Sequence, residues 1–170
     1  MNSRDTSRDI SSNEVMQWLN HMCTELRSLI NSDTVKILGI KTGGVIIANH
    51  LRQLLEIDHP VGELNISFYR DDFSRIGLHP RVGASNIPYS IDGETIVLVD
   101  DVLYSGRTVR AAMNEIFDFG RPEKIILATL IERNGRELPV CADVVGSKMQ
   151  LSNNETIKLK DDLSLVVKSI

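Results

Sequence analysis

The sequence lacks any apolar run long enough to cross a membrane. Its longest uninterrupted apolar stretches, such as Val45–Ala48 and Ile96–Val99, fall far short of the roughly 18 residues that indicate a membrane span. The segment Met1–Asp9 is polar and mixed in charge, without the apolar stretch of a secretory signal. We therefore expect a cytoplasmic protein with no membrane partner, whose residues 1–10 are frayed.

Cysteine is scarce as well. The two cysteines, Cys23 and Cys141, form no CxxC motif, which predicts two buried thiols in a reducing compartment, with a disulfide as the alternative. The four histidines show no zinc-site spacing with them, so we expect no metal site built from protein ligands. The formal net charge of −4 gives no general electrostatic reason to bind nucleic acid, although a local basic patch would still allow it.

Length and composition fit one compact domain. The chain has 170 residues, of which 42% are hydrophobic and 25% charged, as in ordinary globular proteins. Ser11 and Glu14 have the spacing of a capping box at the start of a helix. Helices are predicted at Val15–Leu29, Val45–Leu55 and Thr108–Phe119. Strands are predicted at Val35–Ile40, Gly62–Tyr69, Thr95–Val99, Lys124–Ile131 and Ala142–Val145, with one or two edge strands in the tail Lys148–Ile170.

This alternation of strands and helices predicts an α/β fold with a mainly parallel central sheet flanked by helices. In such sheets, ligands bind at the carboxyl ends of the strands, near the point where the strand order reverses. Two strand-to-helix junctions are therefore candidate sites, Lys41–Val45 and Asp100–Thr108.

The second junction has three chemical parts in order. The apolar run Ile96–Val99 predicts a buried strand, Asp100 and Asp101 come where that strand emerges, and Tyr104–Thr108 supplies hydroxyls and a glycine just before a helix. Hydroxyl donors and the amides of a helix start suit a phosphate monoester, while the carboxylates can accept hydrogen bonds from ribose hydroxyls or hold magnesium through water. The plain alternative is a helix cap beside a solvated acidic loop. The chain contains neither a Walker A loop nor GxGxxG.

Ile96–Thr108 resembles the thirteen-residue signature with which type I phosphoribosyltransferases bind 5-phosphoribosyl-1-pyrophosphate (PRPP). Further blocks resemble the bifunctional pyrimidine operon regulator/uracil phosphoribosyltransferase family, and the similarity covers roughly residues 12–150. These blocks are Val61-Gly62-Glu63, Tyr69-Arg70-Asp71-Asp72, Val109-Arg110-Ala111-Ala112, Gly120-Arg121-Pro122 and Arg136-Glu137-Leu138-Pro139.

The resemblance implies a type I phosphoribosyltransferase fold, with a flexible lid loop at residues 70–90 and a small hood with C-terminal strands at about 142–170. It implies that Tyr104–Thr108 holds the 5′-phosphate, that Asp100 and Asp101 hold the ribose hydroxyls, and that the Lys41–Gly44 turn holds pyrophosphate. The residues expected to bind substrate are Thr42, Gly43, Asp100, Asp101, Val102, Leu103, Tyr104, Ser105, Gly106, Arg107, Thr108 and Val145. The residues expected to take part in catalysis are Asp100, Asp101, Arg70 and Arg81.

The chain departs from the family pattern at the pyrophosphate turn. Gly43 stands where many relatives carry Arg, which keeps the backbone contacts but removes a cationic donor. Arg70, Arg75 or Arg81 on the lid would then offset the charge of the departing pyrophosphate, unless they are ordinary surface cations.

The reaction implied is displacement of pyrophosphate from the anomeric carbon of PRPP by N1 of uracil, giving UMP, with Mg²⁺ bound mainly through PRPP. Purine enzymes of the superfamily often carry Asp where this chain has Tyr104, and tyrosine is a poor general base at neutral pH. The base would be read by the hood, partly through backbone groups at Val144–Gly146. Ser147-Lys148-Met149-Gln150 replaces the family's Lys-Asn-hydrophobic-Pro-Thr run, so a purine or orotate is the alternative acceptor.

The family's second role is to bind a hairpin of pyrimidine operon mRNA with UMP as co-ligand, and its members form dimers or larger homo-oligomers. Cys141 stands where regulators typically carry Arg. His21 and Arg136 are candidate RNA contacts, with a solvated helix face and a structural ion pair as their plain alternatives. A nucleotide-sensing regulator with little catalysis is therefore the competing hypothesis.

Overall fold

The computed structural model describes residues 8–31, 33–66 and 83–170. The helices are α1 (Ser12–Leu29), α2 (Gly43–Leu54) and α3 (Arg107–Phe119). The strands are β1 (Arg8–Ile10), β2 (Val35–Ile40), β3 (Gly62–Leu64), β4 (Thr95–Leu103), β5 (Lys124–Arg133), β6 (Val144–Met149), β7 (Glu155–Leu159) and β8 (Leu165–Ser169). No helix in these ranges is both long and apolar enough to cross a bilayer.

The main sheet has the strand order β3-β2-β4-β5-β6, and every pairing in it is parallel. Apolar side chains of α1 and α2 pack with one face of this sheet, and those of α3 pack with the other. The central strands are therefore covered on both faces, which explains why all six residues of β2 are buried and why Lys36 is its single charged residue. The predicted parallel α/β architecture is confirmed.

Local sequence signals correctly predict the capping residue of the first helix. The Ser11 hydroxyl accepts a hydrogen bond of 3.3 Å from the Glu14 N–H, so the capping residue is the one the spacing predicts. The buried stripe of α1 faces the core and consists of Val15, Leu19, Met22, Cys23 and Leu26.

A second sheet joins the two ends of the chain, which the sequence patterns do not indicate. Its order is β1-β8-β7, and Arg8 pairs with Val167 and Ile10 with Leu165, antiparallel. The expectation that residues 1–10 are frayed is thus wrong for 8–10, because Ile10 is buried in the core that α1 shares with the tail strands. Likewise, the tail strands lie in this separate sheet rather than at an edge of the main sheet.

The structure also differs from the prediction in the bounds of one strand and in the exposure of one cysteine. The strand expected at Ala142–Val145 is β6, which starts two residues later, runs to Met149 and lies at the edge of the main sheet. Both thiols are free; Cys23 is buried as expected, but Cys141 is exposed because it lies in the connection before β6. The end of the strand expected at Gly62–Tyr69 and most of the expected lid, residues 67–82, fall outside the described residues.

A buried phenol joins β2 to β3 at the amino end of their pairing. The Tyr89 hydroxyl donates to the carbonyl of Ile37 at 2.8 Å and accepts from the N–H of Gly62 at 3.0 Å. Burial of the ring raises the pKa of Tyr89 from its ordinary value of 10.0 to about 12, although the Gly62 hydrogen bond opposes the rise.

This shift makes the stability of the fold sensitive to alkali. The folded state favours the protonated phenol. The contribution of Tyr89 to the free energy of unfolding is therefore complete below pH 10 and is lost as the pH rises from 10 to about 12. In Tyr89→Phe we expect a free energy of unfolding about 1 kcal/mol lower at neutral pH. In this variant, the part of the decrease in stability between pH 10 and about 12 that is due to Tyr89 should be absent. Urea unfolding at several pH values measures both effects. Tyr104→Phe, which removes an exposed phenol, should keep the wild-type alkaline profile, and an unchanged profile in Tyr89→Phe would contradict the assignment.

Candidate active site

The strand order reverses between β2 and β4. From β2 the chain turns to β3 on one side, and it later returns to β4 on the other side. Ligands of open α/β sheets bind in the crevice outside such a point. The two segments that follow these strands, Lys41–Thr42 before α2 and Tyr104–Gly106 before α3, lie within the two junctions that the sequence singles out, Lys41–Val45 and Asp100–Thr108.

The two junctions touch through glycine. A Cβ atom added to Gly44 would lie 2.5 Å from the carbonyl oxygen of Val99, and one added to Gly43 would overlap the carboxylate of Asp101. Only glycine allows this approach while Asp101 keeps its position. The absence of an arginine at position 43 therefore agrees with the packing of this chain, because a longer side chain would displace Asp101.

The turn after β2 is held on its outer side. Lys41 forms an ion pair of 2.8 Å with Glu63 of β3, and the Lys41–Thr42 peptide bond is cis. Thr42 is exposed at the start of α2 and makes no capping hydrogen bond with its side chain. The first N–H groups of α2 have no partner within the helix, so they can bind an anion in the crevice.

The acidic pair lies inside β4 rather than beyond its end. The ladder continues through Asp100, which pairs with Thr129, and ends at Leu103. The Asp100 carboxylate is buried and accepts the N–H of Asp101 at 2.9 Å, and the Asp101 carboxylate accepts the N–H of Val102 at 3.0 Å. These bonds fix the orientation of both carboxylates, and the second oxygen of Asp101 faces Gly43.

Two of the expected binding residues contribute little through their side chains. Leu103 is buried in the core below α3, and Val102 packs against the opposite core. Any contact of theirs with a ligand must therefore come from the backbone.

The expected phosphate loop forms the start of α3. Gly106 has a φ of 93°, in the left-handed region, and precedes the helix, which begins one residue earlier than predicted, at Arg107. The Ser105 hydroxyl accepts the Arg107 N–H at 3.2 Å. An anion bound at this helix start would meet amides of the first turn of α3 and the positive end of the helix dipole.

Residues of the connection between β5 and β6 support this loop, and sequence reasoning does not identify them as part of the site. The N–H groups of Glu137 and Leu138 both donate to the Ser105 carbonyl at 3.0 Å, and Arg107 forms an ion pair of 2.8 Å with Glu137. The Arg-Glu-Leu-Pro block at 136–139 was the available signal, although it indicated the family rather than this role.

Other expected residues lie farther away or outside the described ranges. Val145 of β6 pairs with Thr129 of β5, and it lies level with Asp100 but two strands away from it. Residues 144–149, expected in the hood, belong to the main sheet. Arg70, Arg75 and Arg81 lie outside the described residues.

Both candidate RNA contacts lie beside a carboxylate. His21 lies 3.5 Å from Glu25 on the exposed face of α1, and Arg136 lies 2.8 Å from Glu132. The plain alternatives to an RNA role are thus present, and neither excludes that role.

A model of the phosphoribosyl transferase domain matches residues 11–161. Bifunctional protein PyrR of Nitrosococcus oceani is 57% identical over 125 residues, which cover 72% of this chain and 71% of the relative. The protein of the same name from Pseudomonas aeruginosa is 47% identical over 146 residues, 84% of this chain and 86% of the relative.

Solved structures share the fold. A hypoxanthine-guanine phosphoribosyltransferase of Bacillus anthracis superposes with a TM-score of 0.72 at 15% identity, covering 95% of this chain and 96% of the other. A purine phosphoribosyltransferase of Pyrococcus horikoshii gives 0.63 at 24% identity, over 82% and 85% of the two chains. The fold is therefore that of the phosphoribosyltransferases. Within that class, this chain belongs to the family of the bifunctional PyrR proteins, which confirms the family predicted from the sequence.

The glycine contact predicts a sensitive position. In Gly43→Ala the new methyl group must displace the Asp101 carboxylate, so we expect the affinity for PRPP, measured by calorimetry, to fall roughly tenfold or more. Gln53→Ala, an exposed change on the same helix, is the matched control and should bind normally. Wild-type affinity in Gly43→Ala would show that the two junctions can move apart without cost.

Proposed function

We propose that the protein is a uracil phosphoribosyltransferase. In the reaction, the bond between the anomeric carbon of PRPP and its pyrophosphate oxygen breaks, and a bond from that carbon to N1 of uracil forms. Pyrophosphate leaves with the bonding electrons, the N1 proton is lost, and UMP is released. One observation supports this proposal above all. The starts of α2 and α3 and the carboxylates of Asp100 and Asp101 lie at the same crevice.

The charges of the site match the charges of PRPP. The start of α3 and its loop suit the 5′-phosphate, and the start of α2 suits pyrophosphate, where negative charge builds as the bond breaks. Asp100 and Asp101 lie on the strand between these two anion sites and can accept the ribose 2′- and 3′-hydroxyls. Each of the three parts of PRPP thus has its own binding group.

The same residues suit magnesium held largely by the substrate. Within the described ranges, no group of three or more His, Cys, Asp or Glu side chains is arranged to hold a metal ion. Mg²⁺ retains several waters and commonly binds through one or two carboxylates together with substrate phosphates. Asp100 and Asp101 would contact its hydration shell, and bound Mg²⁺ would offset charge on pyrophosphate.

The edge strand β6 offers a way to recognise the base. Its backbone pairs with β5 on one side, and no other described strand pairs with its other edge. Such an edge presents alternating N–H and C=O groups, which complement the carbonyls and the N3–H of uracil. Val145 is the residue we assign to this contact. Arg70 and Arg81 of the lid remain our candidates for offsetting charge on the departing pyrophosphate.

The first test is conversion of radiolabelled uracil to UMP with PRPP and Mg²⁺, with hypoxanthine, xanthine and orotate in parallel. We expect turnover with uracil and at most traces with the other bases. The double variant Asp101→Asn/Thr108→Ala should lose activity and keep a normal circular dichroism spectrum, because neither side chain lies in the apolar core. Preference for a purine or orotate would overturn the base assignment, and full activity of the double variant would overturn the PRPP site.

A second function, regulation of a pyrimidine operon through a hairpin in its mRNA, is favoured by one surface. Arg8, Trp18 and Lys148 border a cavity of about 500 Å³ between α1 and the β6–β7 connection, which the carboxylates of Glu14 and Glu155 also line. Cations beside an aromatic ring are the combination that binds phosphates and stacks unpaired bases. The relatives carry the word bifunctional in their name, which agrees with two roles.

RNA binding can be separated from catalysis by changes on this surface. With a hairpin from the pyrimidine operon leader and UMP present, Trp18→Ala and Lys148→Ala should each weaken binding about tenfold in a gel-shift assay. Lys158→Ala on β7 is the control for loss of an exposed lysine. No wild-type shift at low salt would reject the regulatory role and leave the enzyme proposal intact.

We also propose that the protein works in the cytoplasm as a homo-oligomer. Phe117 and Phe119 support the assembly, because both rings are about half exposed near the end of α3. Exposed aromatic groups are enriched in subunit interfaces.

A further inference from the structure

Arg133 connects three parts of the molecule. It is the last residue of β5 and only 8% exposed. Its guanidinium donates to the carbonyls of Glu155 at 2.9 Å and Ser152 at 3.4 Å, in the connection from β6 into β7. On its other side, the guanidinium carbon lies 4.2 Å from the centre of the Tyr104 ring. A buried cation thus joins the second sheet to the first residue of the phosphate loop.

The Tyr104 ring is held from other sides too. Gly135, with a φ of 111°, packs so closely that an added Cβ atom would overlap the ring. Arg136 donates to the Tyr104 carbonyl at 2.7 Å, so the main chain of this residue is fixed together with its side chain. The ring therefore has a fixed orientation, although Tyr104 is 46% exposed.

The contact uses the ring and not the hydroxyl group of Tyr104. Among the described residues, no hydrogen bond involves that hydroxyl, and the Nε of Arg133 has no hydrogen-bond acceptor. The electron-rich face of the ring is thus the main group that stabilises this part of the guanidinium. The two carbonyls and the Glu155 carboxylate stabilise the guanidinium from the other side. Loss of the ring would leave the Nε side of the guanidinium without its stacking partner, and loss of the cation would remove one of the contacts that orient the ring.

We propose that Arg133 is a positioning residue for phosphoribosyl transfer, which keeps the phosphate loop in shape by fixing the Tyr104 ring to the β6–β7 connection. The inference rests on the proposed function. Amides that bind a phosphate must be held in place, because small misplacements lower the efficiency of catalysis steeply. Arg133 does not touch the substrate and acts only through Tyr104.

Kinetics of four variants test the proposal. Arg133→Met and Tyr104→Leu should each raise KM for PRPP about tenfold with a smaller change in kcat, because each removes the ring contact. Tyr104→Phe keeps the ring, so its KM for PRPP should rise less than that of Tyr104→Leu. Arg133→Lys keeps the charge but cannot reach both carbonyls, so its KM should lie in between.

Arg52→Met is the matched control. Arg52 also donates to a main-chain carbonyl, that of Ile57 at 3.1 Å, but it lies near the end of α2. This variant should lose some stability and keep its KM. The double variant Arg133→Met/Tyr104→Leu should be little worse than either single variant, because both remove one interaction.

A measurement without turnover separates this inference from the proposed function. Hydrogen exchange of peptides that cover residues 104–108, without ligand, should become about tenfold faster in Arg133→Met and Tyr104→Leu, while exchange in β2 stays unchanged. Affinity for ribose 5-phosphate should fall in parallel. If no base is turned over, the enzyme proposal fails and these two measurements still decide on Arg133. Normal loop exchange in Tyr104→Leu, or equal acceleration throughout Arg133→Met, would overturn the positioning role.

Discussion

The close approach of a glycine turn to an aspartate is the contact on which the site depends. Gly43 lies against the Asp101 carboxylate, and Gly44 lies against the main chain of β4. Because β2 and β4 are parallel neighbours, this contact sets the distance between the starts of α2 and α3. Two partial positive charges, one from each helix dipole, are thereby aimed into one crevice. A substrate with two separate anionic groups is what such an arrangement suits.

The elements that could be predicted from the sequence are those whose signals are local. The capping serine of α1, the six residues of β2 and the glycine that ends α3 need no information from elsewhere in the chain. The extent of β4 is different. Asp100 and Asp101 suggest a strand end, but each carboxylate accepts the next N–H, and pairing with β5 continues past both residues. Polar residues such as Asp100 and Asp101 can therefore lie within a strand, and the sequence pattern alone does not show that the pairing continues through them.

Parts of the candidate site could likewise be predicted from local sequence, and other parts could not. Tyr104–Thr108 and the Lys41–Gly44 turn, which we propose as binding groups, could be singled out from motif chemistry because each is contiguous in the chain. The residues that hold these segments in place could not be identified in this way. Arg133 and Glu137 reach the loop from the following strand and its connection, and Gly135 reads as an ordinary turn residue in Asn134-Gly135. What makes these residues important is a neighbour in space, on which sequence spacing carries no information.

The pairing of β1 with β8 has a consequence for the order of events during synthesis. β1 is synthesised well before its partner strand β8, because all the helices and the other strands lie between the two in the chain. Until then the parallel sheet can assemble, but the second sheet cannot close. The connection that accepts the hydrogen bonds of Arg133 leads into this late sheet. A nascent chain can therefore possess every proposed ligand-binding residue while the loop at 104–108 still lacks the support that we propose for Arg133, so we expect competence for binding to arrive at the end of folding.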